Sequence, residues 1–208
     1  MLSNYERGIA TIIVEALVEY GLNEHLEQYG EYSAHDWFCD NKMIDAGFHV
    51  CGGATKLCIE HDDLCDWVIK VGYSRGVKLD YAALEYENYC HACDEGFEHY
   101  FPETVYLGEF NGRAFYLQEY ADCNETHVSS EWYNRIRDGY EEDGEEYSED
   151  QIWDDLDCMD DDQKAFLSFH DNALCNFLYN HNITDLHEGN FGYIGDHMVI
   201  VDFAGYQG

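Results

Sequence analysis

Three oxygen-bearing side chains near the end of the sequence have the types and spacing that phosphoryl transfer from a nucleotide requires. Asp185 is followed five residues later by Asn190, and Asp202 ends the apolar run that comes next. Such chemistry needs one carboxylate to accept the proton of the attacking hydroxyl, and two oxygen ligands to hold Mg²⁺ on the phosphates. The pattern therefore predicts Asp185 as the base, and Asn190 and Asp202 as the metal ligands.

The residues between Asn190 and Asp202 predict a β-hairpin. Residues 191–194 and 198–201 alternate around a Gly-Asp turn at 195–196, which is a common signal for two short antiparallel strands. We expect this hairpin to bring Asp202 back beside Asn190.

A lysine and a glycine pair upstream are the next residues that could act on phosphates. Lys70 lies inside an apolar strand predicted over 66–72, where an ammonium group without a partner is costly. It is either an edge-strand lysine whose stem reaches water or a phosphate-binding lysine. Gly52 and Gly53 join two strands predicted within 47–61. They form either an ordinary turn or a backbone that approaches a phosphate closely.

A helix predicted over 80–99 follows the strand that carries Lys70, with Asp80 as its N-cap. It offers Glu85 and Glu87 as partners for that lysine, although most helical glutamates are simply solvated. An Asn-Gly turn at 111–112 then joins two further strands, 104–107 and 114–117. Five strands with one helix inserted after the third predict a small antiparallel lobe.

The remaining helices flank this lobe. Residues 5–20 predict an amphipathic first helix, ended by Gly21 and followed by a polar and aromatic connection to about residue 46. A second amphipathic helix is predicted over 163–180, where His170 is a core histidine more readily than a ligand. Between these parts, the acidic segment 138–162 is typical of an exposed chain that repels itself.

The composition restricts the partners. The 208 residues include 44 acidic and 10 basic side chains, a net charge of −34. Because nucleic acid is bound through Lys and Arg on phosphates, direct binding of DNA or RNA is not expected. Such a surface is either merely solvated or an imitation of nucleic acid toward a DNA-binding partner. No apolar stretch is long enough for a membrane span, and nine cysteines without a regular framework predict a reducing, cytoplasmic location.

The motifs occur in an order that resembles the protein-kinase-like fold, and more closely the early serine/threonine protein kinases of T7-like bacteriophages. The matching residues are Asp45-Ala46-Gly47-Phe48, Val68-Ile69-Lys70-Val71-Gly72, Pro102 with Val105-Tyr106, and His187 with Gly189-Asn190. The resemblance spans about 40–205. It implies a minimal two-lobe α+β fold with an antiparallel-sheet N-lobe and a reduced helical C-lobe. The corresponding parts are 1–45 as an N-terminal helical segment, 46–121 as the N-lobe, and 122–208 as the C-lobe with a catalytic loop at 183–205.

The resemblance also implies ATP and Mg²⁺ as cofactors, and host proteins as substrates in the host cytoplasm. Lys70 would hold the α- and β-phosphates, paired with Glu85 or, as the alternative, Glu87. The phosphates would be covered by Gly52 and Gly53, and adenine would meet the backbone of a hinge. That hinge consists of Glu119, Tyr120 and Ala121.

A second hypothesis gives the acidic surface the main role. The chain would use a kinase-like scaffold, catalytically weak or inactive, to occupy the basic site of a host DNA-binding enzyme such as RNA polymerase, a nuclease or a defence enzyme. A phosphotransferase for small molecules is the third alternative.

Overall fold

The chain divides into two structural units. The computed structural model describes residues 2–29, 34–52, 55–73, 79–123, 141–142, 145–146, 173–183 and 188–205. The first unit consists of Met1–His91 and Glu103–Tyr120, and the second of Ala92–Pro102 and Ala121–Gly208. The first 45 residues, expected as a separate helical segment, thus belong to the same unit as the strands that follow them.

A five-stranded antiparallel sheet forms the centre of the first unit, so the protein is α+β. Its strands are β1 (Phe48–Gly52), β2 (Lys56–His61), β3 (Trp67–Gly72), β4 (Thr104–Phe110) and β5 (Arg113–Glu119), in the order β1-β2-β3-β5-β4. Helix α4 (Tyr81–Glu95) lies between β3 and β4 in the chain. The prediction of five antiparallel strands with a helix after the third is confirmed.

The turn between β4 and β5 is the one that the Asn-Gly pair predicts. Asn111 and Gly112 have φ angles of 50° and 80°, and positive φ at both central residues is the requirement of a type I′ turn. Since this turn matches the twist of the strands it joins, it determines the pairing of β4 with β5.

Three helices precede the sheet: α1 (Asn4–Glu19), α2 (Leu22–Tyr29) and α3 (Ala34–Asp40). The first helix is confirmed, and it begins with a capping box between Ser3 and Glu6. The polar connection expected up to residue 46 is wrong, because α2, α3 and a 3-10 turn at Ile44–Ala46 occupy it. Helices α2 and α3 each bury apolar residues four positions apart. This pattern is too short to identify a helix in the window of 11–18 residues over which helical periodicity is recognised.

The two faces of the sheet have different characters. Side chains alternate along each strand, and one face packs with α1–α3 into a single apolar core. Its sheet residues include Leu57, Ile59, Ile69, Val71 and Leu117. The opposite face carries Lys56, Cys58, Lys70, Tyr116 and Gln118. Every residue of β3 is buried, so this strand is covered on both faces.

The second unit combines a helix, a hairpin and an aromatic cluster. Its elements are α5 (Ala173–Asn180), β8 (Phe191–Ile194), β9 (His197–Ile200), and 3-10 turns at Glu98–Tyr100 and Glu188–Asn190. Phe101 packs on Phe177 and Phe203, with ring centroids 5.9 and 4.8 Å apart. The predicted hairpin is confirmed, with its second strand beginning one residue earlier than expected.

Two predicted helices differ in extent from the helices that the structure describes. The helix expected over 80–99 ends at Glu95, because Gly96 adopts a φ of +83°. Of the helix expected over 163–180, only the part from Ala173 lies within the described residues. The acidic segment 138–162, and His170, also lie outside them, except that β6 (Glu141–Glu142) pairs with β7 (Glu145–Glu146). Within the described part of the chain, no helix has the length and apolar character to cross a membrane.

Candidate functional site

The carboxylate of Glu85 is the centre of a buried ionic cluster in the first unit. Its side chain has no exposed surface, and the side chains of Lys56 and Lys70 are only 5% and 6% exposed. The Nζ atom of Lys70 donates to Oε2 of Glu85 over 2.8 Å. The Nζ atom of Lys56 lies 3.3 Å from Oε1 of the same carboxylate. One glutamate thus contacts two ammonium groups, one through each oxygen.

The strand register explains why these side chains meet. Lys70 on β3 lies directly opposite Cys58 on β2 and Tyr116 on β5. Lys56 precedes Cys58 by two residues, so it projects from the same face of the sheet as Lys70. Glu85 reaches this face from α4.

The start of α4 is held against the end of β3. Oδ1 of Asp80 accepts hydrogen bonds from the backbone N–H groups of Ala82 and Ala83, at 3.0 and 3.2 Å, which makes it the N-cap that the sequence predicts. The Asp80 carboxylate also packs so closely on Gly72 that any side chain at that glycine would overlap it. This contact sets where the helix starts, and therefore where Glu85 lies.

The structure resolves the choice between the two candidate glutamates. Glu85 is buried against Lys70, whereas Glu87 is exposed. Lys56 was not among the residues singled out from the sequence. The alternation of the segment Lys56-Leu57-Cys58-Ile59 places it on the face of Cys58, but the register that brings that face beside Lys70 is visible only in the folded sheet.

Burial changes the pKa of two side chains that lie beside the cluster. Burial raises the pKa of the Cys58 thiol, although the two neighbouring lysines lower it. Burial is also the main reason why the pKa of Tyr116 rises to about 12. In such surroundings charges interact more strongly than they do in bulk water. The formal charges of Lys56, Lys70 and Glu85 add up to +1, inside a chain whose net charge is −34.

In the second unit, the hairpin brings the two predicted metal ligands to one end. Phe191 pairs with Ile200, and the N–H of Val201 donates to the carbonyl oxygen of Asn190 over 2.9 Å. Asp202 is the next residue along the chain. The side chain of Asn190 is 95% buried, and that of Asp202 is half-buried.

The segment after Asp202 packs on the residues that precede the predicted catalytic loop. Gly205 has a φ of +77°, and a side chain there would overlap the carbonyl group of Asn182. Phe203 and Ile183 are both buried. Residues 184–187, which include Asp185, lie outside the described part of the chain. Asn182, before these residues, packs on Gly205, and Asn190, after them, accepts a hydrogen bond from Val201.

The predicted hinge includes one of the three points at which the chain passes from one unit to the other, the step from Tyr120 to Ala121. The N–H of Tyr120 donates to the carbonyl oxygen of Asp66 over 2.9 Å, and that of Glu119 to Glu103 over 2.8 Å. Two of the three hinge amides are therefore engaged within the first unit.

The chain after Ala121 is tied to the hairpin of the second unit. Asp122 and Tyr193 exchange two backbone hydrogen bonds of 2.8 and 2.9 Å. Gly192 lies beside this bridge, where a side chain would press on Ala121 and Cys123. The hairpin whose two ends carry the predicted metal ligands is thus bonded to the segment that follows the hinge.

The other predicted cofactor residues are placed as follows. Gly52 ends β1, and its neighbour Gly53 lies outside the described residues. Among the residues that the structure describes, no group of three or more His, Cys, Asp and Glu side chains is arranged to hold a metal ion. Asn190 and Asp202 nevertheless supply an amide and a carboxylate oxygen, the ligand types that Mg²⁺ prefers together with water and phosphate oxygens. They fit a magnesium ion held mainly by a nucleotide.

Comparison of the chain with protein-family models, with curated proteins and with solved structures finds no match in any of the three. The case for a function therefore rests on the side chains of this chain.

Proposed function

We propose that this protein is an ATP-dependent serine/threonine protein kinase with a reduced protein-kinase-like fold. The observation that carries the proposal is the buried ion pair of 2.8 Å between Lys70 and Glu85. Its lysine lies on the third strand, and its glutamate lies on the helix that follows that strand. Protein kinases require such an ion pair between a strand-β3 lysine and the next helix for activity.

Each residue has a role in this proposal. Lys70, oriented by Glu85, holds the α- and β-phosphates, while Asn190 and Asp202 hold Mg²⁺, which neutralises charge on the phosphates when bound. Asp185 accepts the proton of the substrate hydroxyl. The hydroxyl oxygen then bonds to the γ-phosphorus, and the bond from that phosphorus to the bridging oxygen breaks, leaving ADP.

The proposal also assigns roles to the backbone and to the charge of the buried cluster. Gly52 and Gly53 would cover the phosphates, and adenine would meet the hinge of Glu119, Tyr120 and Ala121. The N–H groups of Glu119 and Tyr120 are engaged within the first unit, so adenine would not bind through these two amides. A four-charged nucleotide is repelled by the acidic surface as a whole, so its binding depends on the cationic cluster and on Mg²⁺.

The decisive experiment measures transfer of labelled phosphate from ATP and Mg²⁺ to the protein itself and to proteins of a host extract. We expect transfer by the wild type, and a loss of at least about a hundredfold in Asp185→Asn, because general-base catalysis contributes factors of this size. Asp202→Asn and Lys70→Met should also lose activity. Asp196→Asn is the matched control, since Asp196 is exposed in the turn between β8 and β9. Equal activity of the wild type and Asp185→Asn would exclude the kinase function.

A second candidate function is supported by the acidic surface. The register of β6 and β7 pairs Glu141 with Glu146 and Glu142 with Glu145. Like charges directly opposite one another are unfavourable, and a cationic partner would relieve that repulsion. In this function the protein occupies the basic site of a host DNA-binding enzyme, such as RNA polymerase or a defence nuclease.

Capture of partners from a host lysate tests this function. Binding by mimicry should weaken at high salt and be reversed by competing DNA. A partner that DNA does not displace, or no partner at all, would count against mimicry. The two functions are compatible, because an acidic surface could also bring a kinase to its substrates.

A further inference from the structure

Two cysteines lie directly opposite each other on the first two strands of the sheet. In the antiparallel register of β1 with β2, Cys51 pairs with Cys58. Facing residues of an antiparallel pair project from the same face of the sheet, which here is the face opposite the apolar core. Both cysteines are free thiols. The fold therefore places two free thiols side by side, although six residues separate them in the sequence.

The backbone of a facing pair has the dimensions that a disulfide requires. The Cα atoms of facing residues lie about 4.5 or about 5.5 Å apart, depending on whether the pair exchanges backbone hydrogen bonds. The Cα atoms of a disulfide lie about 4.4–6.8 Å apart. Both spacings of a facing pair fall within this range, so Cys51 and Cys58 can be joined while β1 and β2 keep their register.

The two thiols differ in their access to solvent. Strand β1 is at the edge of the sheet, and Cys51 on it is exposed, whereas Cys58 is partly buried. Burial raises the pKa of the Cys58 thiol, which lowers the fraction of the reactive thiolate. A reagent in solution should therefore react first with Cys51. Cys58 is placed to attack whatever group is then bound to the sulfur of Cys51.

We propose that Cys51 and Cys58 are a site of reversible oxidation, at which a low-molecular-weight disulfide converts the two thiols into a disulfide between β1 and β2. The Cys51 thiolate attacks one sulfur of the small disulfide, whose S–S bond breaks, and one small thiolate leaves and takes up a proton. Cys58 loses its proton to water and attacks the Sγ atom of Cys51. The second small thiolate then leaves and is protonated, so that two electrons have passed from the protein to the small disulfide.

The disulfide would fasten the edge strand to its neighbour. It closes the loop of residues 51–58, which contains Gly52 and Gly53, and so cross-links the hairpin between β1 and β2. On its other side, Cys58 faces Lys70 of β3, so the oxidation takes place one strand away from the buried ionic cluster. The proposal is independent of the kinase function, because the reaction needs neither a nucleotide nor a metal.

Peptide mapping of the full chain tests the proposal. The protein is incubated with glutathione disulfide, its remaining thiols are blocked with iodoacetamide, and it is digested with trypsin. Because trypsin cleaves after Lys56, between the two cysteines, the expected disulfide joins the peptides 43–56 and 57–70. Mass spectrometry should detect the joined peptides in the wild type, and dithiothreitol should separate them. In Cys58→Ser, glutathione should stay attached to Cys51.

The matched control is Cys65→Ser, because Cys65 lies in the same tryptic peptide as Cys58. Cys65 is exposed, and its Sγ atom donates to the carbonyl oxygen of Asp62 over 3.1 Å. This variant should give the joined peptides as the wild type does. A wild type that keeps glutathione on Cys51, or that does not react there, would overturn the proposal. Joined peptides that persist in Cys58→Ser and disappear in Cys65→Ser would also overturn it, since Cys65 would then be the partner.

Thermal unfolding shows whether the bond forms in the native register. A cross-link that closes a loop of about eight residues removes entropy from the unfolded chain, so the oxidised protein should melt about 5–10 °C above the reduced protein. The exposed-site variant Cys51→Ser, treated with the same reagent, should show no such rise. An oxidised wild type that melts below the reduced protein would show that the sheet distorts to form the bond, and the proposal would be wrong.

Discussion

Removing both lysines that contact Glu85 should destabilise the fold far more than removing either one. In the double variant Lys56→Met/Lys70→Met, a carboxylate with no exposed surface loses the two ammonium groups that lie 3.3 and 2.8 Å from its oxygens. Each single variant leaves one. We therefore expect the effects of the two substitutions on the free energy of unfolding to be strongly non-additive.

The distances set the scale. With an effective dielectric constant of about 20, the attraction is about 6 kcal/mol at 2.8 Å and about 5 kcal/mol at 3.3 Å. These two energies count the attraction alone. Most of this attraction is offset by the free energy needed to take the charges out of water. Removing one lysine should therefore cost about 1 kcal/mol, whereas leaving a buried carboxylate without a cation costs about 3–5 kcal/mol. The two single losses add up to about 2 kcal/mol, so the coupling energy between the two substitutions should be about 1–3 kcal/mol.

Urea unfolding of the wild type, both single variants and the double variant, followed by circular dichroism, measures this coupling. The control is Lys42→Met, because Lys42 is exposed and lies outside the ionic cluster. This variant should change the free energy of unfolding by less than about 0.5 kcal/mol, as substitutions at exposed positions do. If the double variant loses only the sum of the single losses, Glu85 does not depend on either lysine, and the shared-carboxylate description is wrong.

Three further predictions concern other parts of the molecule. Gly205→Ala should lower the melting temperature and cost at least about 1 kcal/mol, because the positive φ disfavours a side chain and the new methyl group meets the carbonyl of Asn182; an unchanged melting temperature would contradict that packing. Iodoacetamide at pH 8, followed by mass spectrometry, should modify exposed Cys51 well before Cys58, whose pKa is raised by burial; equal rates would show that Cys58 is not in a water-poor site. Burial lowers the pKa of His99 below its ordinary 6.5, so the unfolded chain takes up the proton first as the pH falls. The contribution of neutral His99 to the free energy of unfolding is complete above pH 6.5. It is lost as the pH falls through the pKa that His99 has in the folded protein. The advantage of the wild type over His99→Gln in urea should therefore shrink below pH 6.5, and a constant difference would contradict this.

The parts of the fold that the sequence predicts are those with strong local signals. The Asn111-Gly112 pair has its own conformational requirement, and the apolar run around Lys70 has no competing structure. Both therefore appear as strands and turns near the expected positions. The short helices α2 and α3 were missed because each presents only one or two turns of periodic residues, and their stability comes from packing against the sheet.

In the candidate site, too, the sequence predicts only the residues that have a strong local signal. Lys70 stands out because a charge interrupts an apolar strand, and Asn190 and Asp202 stand out through their spacing around a hairpin. Lys56 does not stand out in the sequence, because it lies at the polar start of its strand. Its position near Lys70 depends on the register between β2 and β3. Pairing across a sheet depends on contacts between distant residues, which a single sequence does not display.

The coverage of β3 on both faces has a consequence for fragments of the protein. A fragment that begins at residue 47 would keep every strand of the sheet, but it would expose the apolar side chains of Leu57, Ile59, Ile69, Val71 and Leu117 that α1–α3 cover. Such a contiguous apolar surface promotes self-association. The first 46 residues therefore cover the apolar face of the sheet, and a fragment without them should self-associate even though it keeps all three side chains of the ionic cluster.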